Sequence, residues 1–314
     1  VARFVFKRVL ILPPILLAVS IVVFLILRVG EGDPAMAYLR LSQIPPTDQA
    51  LAEAREHLGL NLSIPVQYFN WFSKALAMDF GTSYVTRRPV LDELLYYLPN
   101  TLTLAGVSLL LTLLLSFPLG ILSSLYRERW IDQVTRAISF LGVSMPSFWL
   151  GFLLIYFFSV KFGWLPSMGK EGAASVIMPS FALALMSMCI NTRLIRASML
   201  EQMGHRMVVY ARARGVLERW VIGRHVLKNA LVPVVTAMGM HVGELLGGAV
   251  VVETLFAWPG IGRYAVTAIY NRDFPVMQCF ILLMTVIFVL CNLFVDIVYA
   301  WLDPRIRMQG ENGS

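Results

Sequence analysis

Six apolar runs, each near the length of a helix that crosses a bilayer, constrain this chain more than any other feature. They cover residues 9–29, 101–126, 137–160, 172–192, 229–252 and 274–298. About 20 consecutive apolar residues carry a helix through a hydrocarbon core, and a helix satisfies its backbone polar groups without help from water. The pattern therefore predicts an all-α polytopic membrane protein with six transmembrane helices. Composition agrees, with 58% hydrophobic and 14% charged residues where soluble domains carry about 25% charged. The 314 residues leave no room for a separate catalytic domain, so one integrated unit, 1–314, is expected. The first run follows Arg3, Lys7 and Arg8 as in a signal peptide. It is too long and lacks a small-residue cleavage site, so it reads as a retained span.

Six spans place both termini on one side of the membrane, and the basic residues say which. Arg3, Lys7, Arg8, Arg127, Arg129 and Arg136, the cluster from Arg193 to Lys228, and Arg305 and Arg307 all fall on the termini side. The short opposite loops hold only Lys161, Lys170, Arg263 and Arg272. Lysine and arginine favour the cytoplasm, so both termini are predicted cytoplasmic. Residues 30–99 then form a long first periplasmic loop, and residues 193–228 a cytoplasmic one. The net charge of +7 is spread between apolar runs, not gathered in a stripe; it reads as a topology signal and gives no support to a nucleic-acid partner. In the long loop, Pro45–Pro46, a helix from Asp48 to Leu58 stopped by Gly59, and later Pro65 and Pro89 predict short helices joined by tight turns. Cys189, Cys279 and Cys291 lie inside apolar runs without metal-ligand spacing, which supports neither disulfides nor zinc.

The 193–228 segment interleaves its charges with Met199, Leu200, Met207, Val208, Tyr210, Val216, Leu217 and Trp220. A plain connector would be shorter and more polar. This pattern suits amphipathic helices that dock on a partner protein or on membrane lipid, with Gly215 turning the chain between two of them.

At these residues the chain resembles the membrane components of binding-protein-dependent importers, in the dipeptide, oligopeptide and nickel branch. Arg196-Ala-Ser-Met-Leu-Glu201 is similar to the family's cytoplasmic signature, as are Tyr210, Ala211, Arg212, Ala213, Arg214 and Gly215, and His225 to Asn229 leading to Pro233. The acidic residue that opens the wider superfamily's Glu-Ala-Ala signature is absent, so its contacts are not carried over. Further landmarks follow in the family's order: Gly32-Asp33-Pro34, Asp79-Phe80-Gly81-Thr82-Ser83-Tyr84, Leu98-Pro99-Asn100-Thr101, Ser144-Met145-Pro146-Ser147-Phe148, Phe256-Ala-Trp-Pro-Gly-Ile-Gly262 and Asp303-Pro304-Arg305. The resemblance implies a type I ABC importer permease fold in a bacterial inner membrane, with coupling helices over about 205–222. It also implies as partners a homologous second permease, two ATPase subunits that bind ATP and Mg, and a periplasmic solute-binding protein. The chain itself has no G-x-x-x-x-G-K-[ST] phosphate loop, so no cofactor and no enzymatic activity of its own are expected.

The fifth run carries the membrane-embedded ionisable residues. Gly239, Gly243 and Gly247 recur every four residues, a GxxxG pattern that lets another helix pack closely. At about 100° per residue, His241 and Glu244 share a sector on the side away from Gly239. Exposing either to lipid costs on the order of several kcal/mol. Two readings stay open: a pair that lines the translocation pathway, or a hydrogen-bonded pair that stabilises packing. Two potential ligands do not make a tight metal site. Met240-His241-Val242-Gly243-Glu244-Leu245, Phe256-Ala-Trp-Pro-Gly and Asn271-Arg-Asp-Phe-Pro resemble the nickel permeases, which implies nickel, as a small chelate, as cargo. Dipeptides, oligopeptides or another metal chelate are the alternative. A proton-coupled secondary transporter is disfavoured because no inverted repeat is evident, and a metalloprotease because HExxH is absent. Asn191, Arg193, Asn292 and Asp296, near span ends, read as interfacial anchors or helix–helix hydrogen bonds.

Overall fold

The computed structural model describes residues 2–30 and 33–302. Gly32, the landmark Asp303-Pro304-Arg305 and the basic Arg305 and Arg307 lie outside the described residues. The described chain is helical throughout, and its one β-type pairing is an isolated bridge between Thr82 and Pro89. In order come α1 (Ala2–Val29), α2 (Pro34–Leu41), α3 (Asp48–His57), α4 (Ile64–Leu76) and α5 (Val90–Leu125). Next are α6 (Trp130–Ser144), α7 (Ser147–Leu154) with a π-helical continuation over Ile155–Lys161, and α8 (Ile177–Met203). Then follow α9 (Arg206–Ala213), α10 (Glu218–Trp220) passing through a π-helical stretch into α11 (Lys228–Leu255), α12 (Ile261–Asn271) and α13 (Phe274–Leu302). Five of the helical stretches are long and apolar enough to cross a membrane, and a sixth span is reached if α6 and α7 are taken together.

That sixth case departs from the run read at 137–160. α6 and α7 meet at an angle of 108°. The break falls at Met145, whose backbone is extended with φ −93° and ψ 117°. The ring of a following proline disfavours the helical region for the residue before it, and Pro146 occupies that place. α5 also differs: it starts at Val90, well before residue 101, and its 36 residues reach about 54 Å, longer than the hydrocarbon core requires. α8 runs on past residue 192 to Met203.

By packing, the chain falls into two compact units. One comprises residues 6–101 and 259–289. Within it Asp33 caps α2 by accepting from the Ala35 N–H at 2.9 Å, and Thr47 caps α3 by accepting from the Ala50 N–H at 3.2 Å. Gly59, at φ +65°, ends the turn after α3. The Arg55 guanidinium reaches back to Asp33 at 2.7 Å and joins α3 to the start of α2. Two landmarks meet here: the Asn100 amide donates to the Pro259 carbonyl at 2.6 Å, and the Thr101 hydroxyl accepts from the Ile261 N–H at 2.9 Å. Ser83 donates to Asp273 at 2.6 Å, so the 79–84 motif is tied to the corner between α12 and α13.

The other unit comprises, of the described residues, 2–5, 102–258 and 290–302. Its centre is the packing of α11 on α8, with Leu183, Leu245, Ala249 and Val252 in the shared core. α6 turns a face of small and polar residues, Asp132, Thr135, Ser139 and Gly142, inward. Asp132 is fully buried, and every part of its charge is met. Arg196 of α8 donates from Nε at 2.6 Å and from Nη2 at 2.7 Å, Ser123 donates at 2.5 Å, and the Glu128 N–H donates at 2.9 Å. A bidentate arginine–carboxylate pair of this kind is strong and directional, and it fixes α6 against α8. Losing one partner strands a buried charge. Asp132→Ala should therefore lower stability by about 3–5 kcal/mol, measured by unfolding in detergent; a change within about 0.5 kcal/mol would contradict this account of how α6 is held.

Candidate functional site

The fifth apolar run becomes α11, and its two sides have different environments. On one side, a Cβ placed on Gly239 would stand 2.5 Å from Cγ1 of Val295 on α13, so the absence of a side chain there is what lets the two helices approach. Gly243 is half-buried, while Gly247 is exposed and has nothing within 4 Å of where its Cβ would be. The three glycines thus do not share one packed face. Each four-residue step advances 400°, so the stripe drifts about 40° per step, and by the third glycine it has left the α13 contact.

His241 is 2% exposed. Its Nδ1 lies 2.8 Å from Oε2 of Glu244, and its Nε2 lies 3.2 Å from Oδ1 of Asn191 on α8. The Asn191 amide nitrogen in turn contacts the Met238 sulfur at 3.6 Å. Both ring nitrogens are engaged, so the imidazole is held between the two helices. Glu244, bonded at one oxygen to the ring, leaves its side chain 52% exposed. Thr236, Met240, Glu244, Gly247 and Val251 form one exposed stripe along α11, spaced as one helix face. The carboxylate is the ionisable group on that face.

For Asn191 the structure shows the helix–helix hydrogen bond that was one of the two expectations: α8 continues to Met203, and Asn191 is buried within it against His241 and Met238 of α11. No local spacing links residues 191 and 241, so only the fold brings them together. Among the described residues no group of three or more His, Cys, Asp or Glu could hold a metal ion, and the three cysteines are free.

The second candidate region is the 193–228 segment. α9 buries Val208 and Ala211 in a cluster with Ile195 and Met199 of α8, Val221 and Val226 of the π-helical stretch, and Ala230 of α11. Its other face presents Met207, Val209 and Tyr210, the last 65% exposed, and Leu217 and Trp220 are exposed just beyond. The turn is made at Gly215, φ +73°, a left-handed conformation that glycine adopts without penalty. The Gly215 N–H donates to the Arg212 carbonyl at 2.9 Å, and the Val216 N–H to the Ala211 carbonyl at 3.2 Å. Arg212 braces the turn by donating to both oxygens of Glu218, at 3.1 and 2.5 Å. The Arg214 guanidinium lies 5.7 Å from the Tyr210 ring centroid. Ala213 ends α9.

The chain is thus a helical membrane protein with a bent span, a polar contact between two spans and a short amphipathic helix on the same helices. Residues 116–308 match the family model for the binding-protein-dependent transport system inner membrane component, and residues 1–105 match that for its N-terminal part. The chain belongs to this family: it is a multi-pass inner-membrane permease subunit of an ABC importer, a protein that works with ATPase and substrate-binding partners. The glutathione transport system permease protein GsiC of Escherichia coli (strain K12) is 42% identical over 306 residues, covering 97% of this chain and 99% of the relative. The protein of the same name from Salmonella typhi is 41% identical over the same length. Among solved structures, an inward-facing MetNI methionine ABC transporter covers 67% of this chain and 96% of its own, at 21% identity and a TM-score of 0.56. An amino acid ABC transporter solved with histidines has a TM-score of 0.52 at 17% identity, covering 68% of this chain and 94% of its own. These two support the type I importer permease fold. The expected affinity to the nickel branch gives way here, since these curated relatives are named for glutathione.

The contact of Asn191 with the ring predicts a measurable effect. Asn191→Ala should free Nε2 of His241 and raise its rate of modification by diethylpyrocarbonate several-fold, followed by mass spectrometry of the peptide that contains it. An unchanged rate would show that Asn191 does not shield the ring.

Proposed function

We propose that this chain is the permease through which an ATP-driven importer carries short peptides of the glutathione kind across the inner membrane. The observation that carries this reading is the 41–42% identity to the glutathione permeases over nearly the whole length of both chains. The resemblance to nickel permeases rests on a few short motifs, and the environment of the central one favours a peptide over a metal. His241 is buried, with its ring nitrogens 2.8 Å from Glu244 Oε2 and 3.2 Å from Asn191 Oδ1, so neither nitrogen is open to an approaching metal. Glu244 is the group left open on α11. A half-exposed carboxylate suits the ammonium group of a peptide, with His241 and Asn191 positioning it.

The remaining parts follow the family's plan. The basic bias places both termini in the cytoplasm and residues 30–99 in the periplasm. There a solute-binding protein delivers cargo, while a homologous second permease completes the pathway. Two ATPase subunits bind ATP and Mg and receive the surface formed by Met207, Val209, Tyr210, Leu217 and Trp220. ATP binding then biases a membrane domain with two states, and the segment 205–222 is the lever.

Reconstitution with its partner ATPases and binding protein tests this directly. ATP-dependent uptake of labelled glutathione, competed by unlabelled short peptides and not by nickel, is expected. ATP-driven nickel uptake that peptides do not compete would overturn the cargo assignment. Glu244→Gln should reduce peptide uptake about tenfold or more, the scale of a hydrogen bond to a charged group, with ATPase activity retained. Gly215→Val forces a β-branched residue to φ +73°. It is expected to leave ATP hydrolysis while abolishing uptake, and retained coupling would remove residues 205–222 from the lever role.

A further inference from the structure

A cavity of about 1000 Å³ opens between α6 and α8, inside the unit built on α8 and α11. Its size is at the upper end of small-molecule pockets, roughly 300–1,000 Å³. The two helices run antiparallel: Asp132 meets Arg196 at one level, and further along a Cβ on Gly142 would overlap the sulfur of Cys189. The lining is therefore ordered along the groove. Arg136, Arg193 and Arg196 lie toward the Asp132 end with Leu194 beside them, and Phe140 and Ile190 lie toward the Gly142 end. Cations collect at one end and apolar side chains at the other.

Of the three arginines, Arg196 is matched by Asp132. Arg136 and Arg193 are exposed and have no hydrogen-bond or ionic partner among the described residues, and no described acidic residue lines the cavity. By sequence, residues 303–314 balance Asp303 and Glu311 with Arg305 and Arg307, so they bring no net counter-charge. Arg136 immediately precedes the apolar run that starts at 137, and Arg193 immediately follows the run that ends at 192. Both guanidinium groups thus stand at headgroup depth, on the side that the basic residues mark as cytoplasmic. Beside the cavity α6 turns Val134, Ile138 and Leu141 outward, all exposed, while its polar residues face inward. That reversed amphipathicity suits a helix with lipid on its outer side, so the groove borders hydrocarbon.

A soluble anion would match the arginines and leave the apolar end empty; an acyl chain alone would fill that end and leave the arginines unmatched. We propose that the cavity seats an anionic phospholipid of the cytoplasmic leaflet, its phosphate between Arg136 and Arg193 and a chain along Phe140 and Ile190. Basic pockets between spans on the cytoplasmic side take anionic headgroups in this way, and the planar guanidinium fits a phosphate through two parallel hydrogen bonds. The site does not depend on which cargo is carried, and its test reads lipid contact and not uptake.

The test uses the assembled importer in phosphatidylcholine nanodiscs doped with a phosphatidylglycerol that carries a photoreactive diazirine in one chain; the matching phosphatidylcholine analogue is the reference. After irradiation, mass spectrometry should find the phosphatidylglycerol label at Phe140 and Ile190 several-fold in excess of the reference at equal mole fraction. Arg136→Gln combined with Arg193→Gln should remove that excess and leave labelling at Phe294, exposed on α13, unchanged. On the unaltered protein, raising salt from 0.1 to 1 M shortens the screening length from about 10 Å to about 3 Å and should lower the excess, which keeps the test decisive if the double variant does not assemble. Inorganic phosphate, compared with chloride at equal ionic strength, should leave the label in place. The proposal is overturned by equal labelling from both lipids, by an excess that survives in the assembled variant or at 1 M salt, or by displacement with phosphate. Absence of lipid label at both residues, as when the second permease or a peptide fills the cavity, overturns it as well.

Discussion

Inside a bilayer a polar side chain has no water to turn to, so each one must find its partner in the protein. In the unit built on α8 and α11 this requirement acts on the contact within the spans, and the cost of burying an unpaired charge acts on the one beyond them. α8 carries two polar anchors, on different sides. Arg196 locks α6 through the buried Asp132, and Asn191 locks α11 through the ring of His241. Apolar packing alone distinguishes poorly between alternative helix registers, because lipid is as apolar as the side chains it would replace. These directional contacts choose one.

The same arrangement links the two regions to which function is assigned. The cluster that seats α9 is made by the lower-numbered part of α11 together with the C-terminal half of α8 and the π-helical stretch between. Asn191 and His241 join the same two helices only a few turns away. α9 is therefore packed into the same body as the Asn191–His241 contact. The turn at Gly215 and its Arg212–Glu218 brace keep the exposed apolar face of α9 in one orientation. α11 itself is divided: Gly239 and His241 face inward to packing, while Glu244 and Gly247 face out of the unit.

Much of this was legible in the sequence, for identifiable reasons. Apolar runs mark spans because the bilayer fixes their length, and Gly215 marks a turn because few other residues accept φ +73°. The spacing of His241 and Glu244 placed them in one sector, and they meet at 2.8 Å. Three features escaped. The break at Met145–Pro146 was hidden by hydropathy continuing through it, although the proline was the signal. The continuation of α8 past residue 192 is hidden by the basic residues there, which read as a loop; with Arg196 paired to Asp132, the helix runs through them. The glycine stripe was read as one face because the 40° drift of a four-residue repeat is invisible without a partner helix to measure it against. Cargo was the hardest, since the short motif around His241 resembles one branch while the whole chain is similar to permeases named for another.

The central claim is that the open face of α11, with Glu244 on it, borders the path taken by a peptide. Cysteine accessibility in the assembled importer tests it most directly, because the native cysteines at 189 and 279 are buried and that at 291 is half-buried. With Cys291→Ser as background, Glu244→Cys should react with a water-soluble maleimide, and peptide-loaded binding protein with ATP should change that rate. Leu245→Cys, one residue on and buried, should stay unreactive. A Glu244→Cys that resists labelling in every nucleotide state, or that reacts at a rate indifferent to peptide, would contradict the account.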